Sequence, residues 1–406
     1  MKTLSKYLIL PMALLFLCGS SSCEKEIQRP EVTSPLMPDK GPEGTSGTIG
    51  TATVKQYTVF TAGAGNEVFR IPSVVTAKDN SIIVFAEDRH NSWRDKSYTD
   101  VVCKRSTNGG ESWSAAINIT GTLNSGEYAF MDPTPVVDTE NGKIFIFFTR
   151  WNKLNADPKN NRAFMSVSTD NGISWSTPID MTDELIAPDM FSSGFGPGHG
   201  IMISEGDHKG RLVVITRQSN GSKSAGYAIY SDDHGNTWKY GVATSAAESQ
   251  IAEIGKGHLY MNLRSGSNRT FATSTDGGHS WTTPNADNTL PIVEGGCEAS
   301  VLGVGDDMLF YCGPESGPAI SGHDNRYGLK LFRSAVGGAA WTRKQVLFEM
   351  ASGYSDMTLL GDGKLAVIFE AGPEKGFIKA ANREPGWMRL DFMVLPAEIT
   401  DYNYWF

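Results

Sequence analysis

The sequence predicts an all-β chain folded as a six-bladed β-propeller, and three observations carry that prediction. A turn motif recurs, short alternating strands lie between its copies, and the spacing suits one small antiparallel sheet per copy. The copies are "STNGGESW" (106–113), "STDNGISW" (168–175), "SDDHGNTW" (231–238) and "STDGGHSW" (274–281). All follow Ser-x-Asp-x-Gly-x-x-Trp, with Asn108 replacing the acid once. Their starts are 62, 63 and 43 residues apart, and a degenerate copy, "SAVGGAAW", begins 60 residues later at Ser334.

Each part of the motif has a physical task. The acid can accept hydrogen bonds from nearby backbone amides, the glycine allows positive φ, and the tryptophan can pack beneath the turn. Stretches such as "KIFIFFTRW", "GRLVVITRQ" and "KLAVIFEAG" have the apolar alternation of strands. The span from about Val54 to Phe406 accommodates six blades, each a small antiparallel sheet. The repeated acids are read as structural staples rather than calcium loops or catalytic carboxylates, because one active site needs few copies of anything.

With 406 residues, 40% hydrophobic, 20% charged and 44 glycines, the chain is globular and rich in turns. Lys2 and Lys6 precede an apolar run from Tyr7 to Leu17, so residues 1–22 are expected to be an export signal. The small residues ending at Cys23 resemble a bacterial lipoprotein signal, which implies lipidation of Cys23, although Ser20 stands where such signals usually carry an aliphatic residue. The chain is then expected outside the cytoplasm, anchored to the outer membrane through that lipid or else secreted. Residues 23–52, rich in Pro, Gly, Ser, Thr and Glu, read as a flexible tether, and 53–406 as the propeller. Loss of residues 1–22 removes two lysines and no acids, moving the net charge from −9 to −11, which argues against nucleic acid as a partner. Cys103, Cys297 and Cys312 remain, enough for one disulfide or none. The seven histidines show no paired ligand spacing, so neither a catalytic metal nor another cofactor is expected.

One arginine looks misplaced. Arg70 interrupts the apolar residues of "EVFRIPSVV" immediately before a proline. Arginine stays ionised and is rarely buried without a partner. Together with the repeated turns, Phe69-Arg70-Ile71-Pro72 resembles the sialidase (neuraminidase) family of glycoside hydrolases, whose hallmarks are Asp-boxes and a Phe/Tyr-Arg-Ile-Pro motif. The resemblance runs from about residue 57 to the C-terminus.

It implies a site, residue by residue. Arg70, Arg264 in "LYMNLRSG" and Arg326 in "HDNRYGLKLFRS" match the three arginines that grip the sialic acid carboxylate, a task suited to a planar, permanently charged fork. Glu370 in "LAVIFEAG" matches the glutamate that buttresses the first arginine. Asp95 matches the proton donor, and Arg89 a substrate-proximal arginine, with Asp88 and Asp100 as local competitors of Asp95. Exclusion of water by neighbours such as Trp93 would raise the pKa of Asp95 and suit a general acid.

The nucleophile follows from charge. Sialic acid carries a carboxylate on its anomeric carbon, and an attacking carboxylate about 4 Å away would meet about 4 kcal/mol of repulsion at an effective dielectric near 20, on the order of a thousandfold in rate. A neutral phenol avoids this but needs a base. Tyr354 in "SGYSDMTLL" and Glu248 in "AAESQIAEI" match the family pair, and sialidases are the tyrosine exception among retaining glycosidases. Glu253 is a rival base, on the opposite face if strand alternation holds.

Asp132 in "AFMDPTPVV" matches an acid that binds a ring hydroxyl, while its Asp-Pro pair could equally be a simple turn. Met131 and Trp151 are candidates for the N-acyl pocket or for the core, and "GFGPGHG" (194–200) resembles the glycine-rich turn bordering the sialidase cleft. The expectation is a monomeric, retaining exo-α-sialidase acting on sialylated glycoproteins, glycolipids and oligosaccharides. Its alternatives are a catalytically silent sialic-acid-binding propeller and a trans-sialidase of the same chemistry.

Overall fold

The computed structural model describes residues 45–49, 52–61, 68–90, 92, 94–152, 157–306, 308–317, 325–334, 337–341, 343–372 and 389–401. Cys23, the export signal, most of the tether and Trp93 lie outside these residues. Six antiparallel blades follow in chain order. Blade 1 comprises Val68–Thr76, Ile82–Arg89, Thr99–Ser106 and Ile117–Asn118. Blade 2 runs from Tyr128–Val137 through Ile144–Asn152 and Arg162–Ser168 to Ile179–Asp180. Phe191–Phe195, Leu212–Ser219, Ser224–Ser231 and Lys239–Tyr240 form blade 3, with Ile201–Met202 also paired to its second strand. Blade 4 is Ser249–Glu253, Leu259–Ser265, Asn268–Ser274 and Asn285–Asp287.

Blades 5 and 6 share a strand. Arg343–Leu359 pairs along its first part with Arg326–Ser334, which continues to Met308–Ser316 and Ser300–Val304, and along its second part with Leu365–Ala371. Blade 6 then adds Arg389–Val394 and, from the other end of the chain, Ala52–Thr61. That last pairing closes the ring with the N-terminal strand. Thr45–Ile49, within the stretch read as a tether, is itself a strand paired to Ala52–Thr61.

An apolar cluster fills each interface between neighbouring blades. Phe85, Phe130 and Phe148 join blades 1 and 2; Val136, Phe147 and Val214 join 2 and 3; Val213, Met261 and Leu263 join 3 and 4. Ala252, Tyr260 and Tyr311 lie between 4 and 5, Phe348 and Phe369 between 5 and 6, and Phe60, Val84 and Phe392 between 6 and 1. Each such side chain removed from water contributes roughly 1.5–3 kcal/mol, so the 6–1 seam is closed by apolar burial as the other interfaces are. The repeat tryptophans reinforce it. Trp113 of blade 1 packs edge-on against Phe392 of blade 6, Trp175 against Phe85 of blade 1, Trp238 against Phe145 and Phe147 of blade 2, and Trp341 against Tyr260 of blade 4. Each turn therefore fastens its own blade to the one before it.

First strands of blades 1 and 2, 2 and 3, 4 and 5, 5 and 6, and 6 and 1 touch around the axis, while that of blade 4 meets Ile201–Met202 and Leu212–Ser219 of blade 3, and a buried polar group joins several of them. Asp356 accepts from the Val74 amide (2.9 Å), pairs with His199 Nδ1 (2.7 Å) and accepts from Gln250 Nε2 (3.1 Å). Burial opposes the charged imidazole, but Asp356 outweighs it and holds His199 above its usual pKa. Cys103, Cys297 and Cys312 are free and buried, so the three cysteines expected in the fold form no disulfide.

Candidate active site

Strands become sites here where their ladders break. In blade 1 the pairing of Val68–Thr76 with Ile82–Arg89 slips between Arg70 and Ser73, and Ile71 takes a φ of 54°. A β-branched residue at positive φ is strained and persists only where its surroundings demand it. The demand is visible: the Ile71 amide points at Glu370 Oε1 (3.1 Å), which also accepts from Arg70 Nε (3.0 Å). The second Glu370 oxygen takes Arg70 Nη2 and the Tyr354 amide, each at 3.2 Å. Pro72 gives up an amide that this bulge does not need. Blade 2 repeats the device, with a slip between Met131 and Thr134, Asp132 at φ 58° before Pro133, and the Asp132 amide donating to buried Glu87 (2.9 Å). The Asp-Pro pair is therefore a bulge inside a strand.

These breaks face a cavity of about 450 Å³ at one end of the ring axis. Arg70, Arg89, Asp95, Asp132, Glu248, Arg264, Arg326 and Tyr354 all line it, as do Met131 and Trp151. Glu370 stands behind the lining, fully buried. Burial pushes the Glu370 carboxyl up, yet Arg70 and the converging donors outweigh that and hold it below the usual range.

The Tyr354 hydroxyl donates to Glu248, 2.7 and 2.8 Å from its two oxygens, and accepts from Arg264 Nη1 (2.9 Å). Arg264 Nη1 also bonds Glu248 at 2.6 Å. The guanidinium carbons of Arg70 and Arg326 lie 5.5 and 5.4 Å from the Tyr354 ring centre, while Arg326 donates to the Gly296 carbonyl at 3.0 and 3.2 Å. Burial and the neighbouring Glu248 charge push the phenol well above its usual pKa. Burial also raises Glu248, but Arg217, Arg264 and the hydrogen bonds bring it below the usual carboxylate range. At neutral pH the pair is thus a phenol hydrogen-bonded to an ionised carboxylate, the state a base-assisted nucleophile requires.

Asp95 departs from expectation. Its side chain is 67% exposed and its Oδ1 lies 2.8 Å from Arg89 Nη1 and 3.9 Å from Arg70 Nη1. Burial would raise its pKa, but Arg89, Arg70 and Arg326 prevail and lower it. The rise that exclusion of water would bring is outweighed in the free protein, because nearby cations prevail over partial desolvation.

The competitors have other employment. Asp100 pairs with His90 (2.8 Å) and accepts from Thr120 and Asn124, and Asp88 lies 4.0 Å from His90. Glu253 accepts from the Ser204 amide (2.8 Å) and lies outside the cavity lining. The glycine-rich run reaches the site through Gly194: a Cβ there would come within 2.4 Å of Asp132 Oδ2.

Two residues escaped the sequence reading. Glu87, fully buried, bonds Arg89 Nε (2.8 Å) as well as the Asp132 amide. Arg217 lines the cavity and pairs with Asp132. The signal for both was a charge inside an apolar strand, "IIVFAEDR" and "LVVITRQS". Among the described residues no group of three or more His, Cys, Asp or Glu is placed to hold a metal ion.

Comparison with known proteins adds to this geometry. Residues 72–367 match the family described as BNR repeat-like domain. A sialidase of Bacteroides fragilis (strain YCH46) is 29% identical over 344 residues, covering 76% of this chain and 61% of that protein. A Micromonospora viridifaciens sialidase is 27% identical, covering 79% of this chain and 52% of the relative. The chain thus spans between half and two thirds of the length of these curated relatives. Among solved structures, the Hadza microbial sialidase Hz136 superposes with a TM-score of 0.71 at 25% identity, covering 85% of this chain and 69% of that one.

Proposed function

The chain belongs to the BNR repeat-like domain family, and from that premise we propose that it is a retaining exo-α-sialidase releasing terminal sialic acid from glycoconjugates. One observation carries the reading: a phenol bonded to an ionised carboxylate, set among three arginines that converge from blades 1, 4 and 5. An acidic sugar is the ligand such a cradle suits, because several fixed guanidinium groups both orient and neutralise a carboxylate.

In the reaction, Arg70, Arg264 and Arg326 hold the carboxylate. The Tyr354 oxygen attacks the anomeric carbon while its proton passes to Glu248. The bond to the leaving oxygen breaks as that oxygen takes a proton from Asp95. Water then gives a proton to Asp95 and attacks the same carbon, expelling Tyr354, which recovers its proton from Glu248. Two displacements return the original configuration.

Asp95 must be protonated for the first step, whereas the cations around it favour its ionised form. Substrate resolves the conflict. Its carboxylate engages Arg70 and Arg326, weakening their hold on Asp95 and placing a negative charge nearby, and both effects raise the Asp95 pKa.

The test is hydrolysis of a fluorogenic sialoside with the product's anomeric form followed by proton NMR. α-Sialic acid should appear first. Tyr354→Phe, which removes only the attacking oxygen, should lower kcat by about a thousandfold or more with an unchanged thermal midpoint. Normal turnover by that variant would defeat the nucleophile assignment.

A further inference from the structure

We propose that Glu298 is a positioning residue: it bridges the strands that carry Tyr354 and Glu248 and sets the separation at which the phenol meets its base. The inference rests on the sialidase reading above and concerns a buried side chain outside the cavity lining. Tyr354 and Glu248 belong to blades 6 and 4, so their contact needs support between blades. Tyr354 sits where the ladder of Arg343–Leu359 with Leu365–Ala371 slips, between Ser352 and Ser355. Two successive amides at this break donate to carboxyls: that of Tyr354 to Glu370 Oε2 and that of Ser355 to Glu298 Oε2, each at 3.2 Å. Glu370 ties the break to Arg70 and blade 1. Glu298 ties it toward blade 4, because its Oε1 accepts from Gln250 Nε2 (3.3 Å). Gln250 follows Glu248 by two residues and therefore lies on the same side of the chain.

Both ends of the bridge are fixed. Arg269 of blade 4 clamps the backbone on either side of Glu298, donating from Nη1 to the Cys297 carbonyl (2.8 Å) and from Nη2 to the Ala299 carbonyl (3.3 Å). Gln250 cannot turn its amide over, because its Oε1 accepts from the Val301 amide (3.1 Å) and its Nε2 also donates to Asp356 Oδ1 (3.1 Å). Position 298 thus faces two N–H donors, one beside the nucleophile and one beside the base, and must offer acceptors to both. Burial, aided by the Asp356 and Glu248 charges, pushes the Glu298 carboxyl well above its usual range despite Arg269, so the bridge acts uncharged. A neutral carboxyl keeps accepting capacity and spares the axis a further buried anion beside Asp356.

The experiment follows hydrolysis of the fluorogenic sialoside and its inhibition by free sialic acid. Glu298→Met keeps the reach of the side chain and removes both acceptors, so kcat should fall by about tenfold or more, the scale of a small misplacement of a reacting group. KM and the inhibition constant should stay within about twofold, because Arg70, Arg264 and Arg326 each have partners of their own. Glu298→Gln, whose carbonyl oxygen has a lone pair for each donor, should recover kcat to within about threefold of the parent. Unchanged kcat in a folded methionine variant would reduce Glu298 to structural support and overturn the proposal. So would a rise in KM and inhibition constant matching the fall in kcat, or a glutamine variant as slow as the methionine one. If the methionine variant shows no cooperative unfolding, Glu298→Asp, one methylene too short to span both donors, should show the same fall in kcat at steady KM, and unchanged kcat there would overturn the proposal equally. The unsubstituted protein tests the sialidase reading separately: no hydrolysis would end that reading, whereas hydrolysis with an unaffected variant ends only the bridge.

Discussion

The Asp-box turns and the axial cavity use the same acids in opposite ways. In the third box, Asp233 accepts from Ser231 Oγ (2.8 Å), the Thr237 amide (2.8 Å) and Thr237 Oγ1 (2.6 Å), while the Gly235 amide closes on Ser231 Oγ (2.8 Å). Every partner lies within seven residues. Asp170 and Asp276 repeat the pattern. In the cavity, Glu370 reaches Arg70 across 300 positions of sequence, and Tyr354 reaches Glu248 across 106. A box completes its own hydrogen bonding and can be copied anywhere on the ring. The cavity exists only when all six blades have closed, and its charges remain available to a ligand.

The contrast breaks most sharply at Glu370. Glu370→Gln keeps the shape but removes the charge that answers Arg70, and its amide can accept on only one atom where the carboxylate serves four donors. Breaking a buried ion pair on one side costs about 3–5 kcal/mol, so denaturant titration should show a loss of that order together with a collapse in kcat/KM. The pH dependence has a fixed sign. The folded-state pKa of Glu370 is depressed, so its contribution is present above the ordinary glutamate range and is lost as pH falls through the folded value. Stability of the Gln variant should therefore fall less steeply in acid than that of the unsubstituted protein.

A subtler distinction concerns charges that change when ligand binds. Asp95 is favoured in its ionised form by Arg89, Arg70 and Arg326 in the free protein, and in the proposed reaction the substrate carboxylate competes for two of them. Because the proposed mechanism uses the protonated form, activity should fall as pH rises. The descending limb of kcat, which reports the complex, should lie at higher pH than that of kcat/KM, which reports the free enzyme. Coincident limbs would show that Asp95 does not feel the ligand. The box acids have no such coupling: Asp233, with its pKa pulled down to about 2 by the Thr237 and Ser231 donors, stays ionised throughout the working range.

Legibility in the sequence follows the same division. The boxes could be read from eight residues at a time because all their turn hydrogen bonds are inside those eight residues, and six blades followed from the span they occupy. Nothing local marks Arg326 or Glu248 as site residues; only the family resemblance singled them out. Arg217 and Glu87 each put a charge inside an apolar strand, but that signal names no task by itself, because the groups that reveal it, the Asp132 carboxylate and the Asp132 amide, belong to another blade. The direction of the Asp95 pKa could not be read locally for a related reason. Trp93 is its neighbour in sequence, but the cations that decide its charge arrive from strand ends of blades 1 and 5. The sharing of Arg343–Leu359 between two blades was also invisible, since a 17-residue strand with register slips presents no break in alternation that names a boundary.

The smallest expected effect lies in the boxes themselves. Asp233→Ala removes an acceptor from one amide and two hydroxyls on an exposed turn, a loss of about 1 kcal/mol in unfolding free energy by analogy with helix-cap acceptors, with kcat/KM unchanged. Since the Asp233 pKa is about 2 when folded, the difference between variant and parent should shrink as pH drops from about 4, the ordinary aspartate range, toward 2. The first box already contains the next comparison. Asn108 takes the acid's place, accepting from the Ser112 amide (3.0 Å) and Ser106 Oγ (2.9 Å) and donating its own amide to Ser112 Oγ (2.9 Å). A neutral acceptor therefore suffices for the turn, and Asp233→Asn should cost less than Asp233→Ala. Were the asparagine variant the worse of the two, charge rather than acceptor geometry would be what the box requires, and the staple would need a cationic partner that none of its hydrogen bonds supplies.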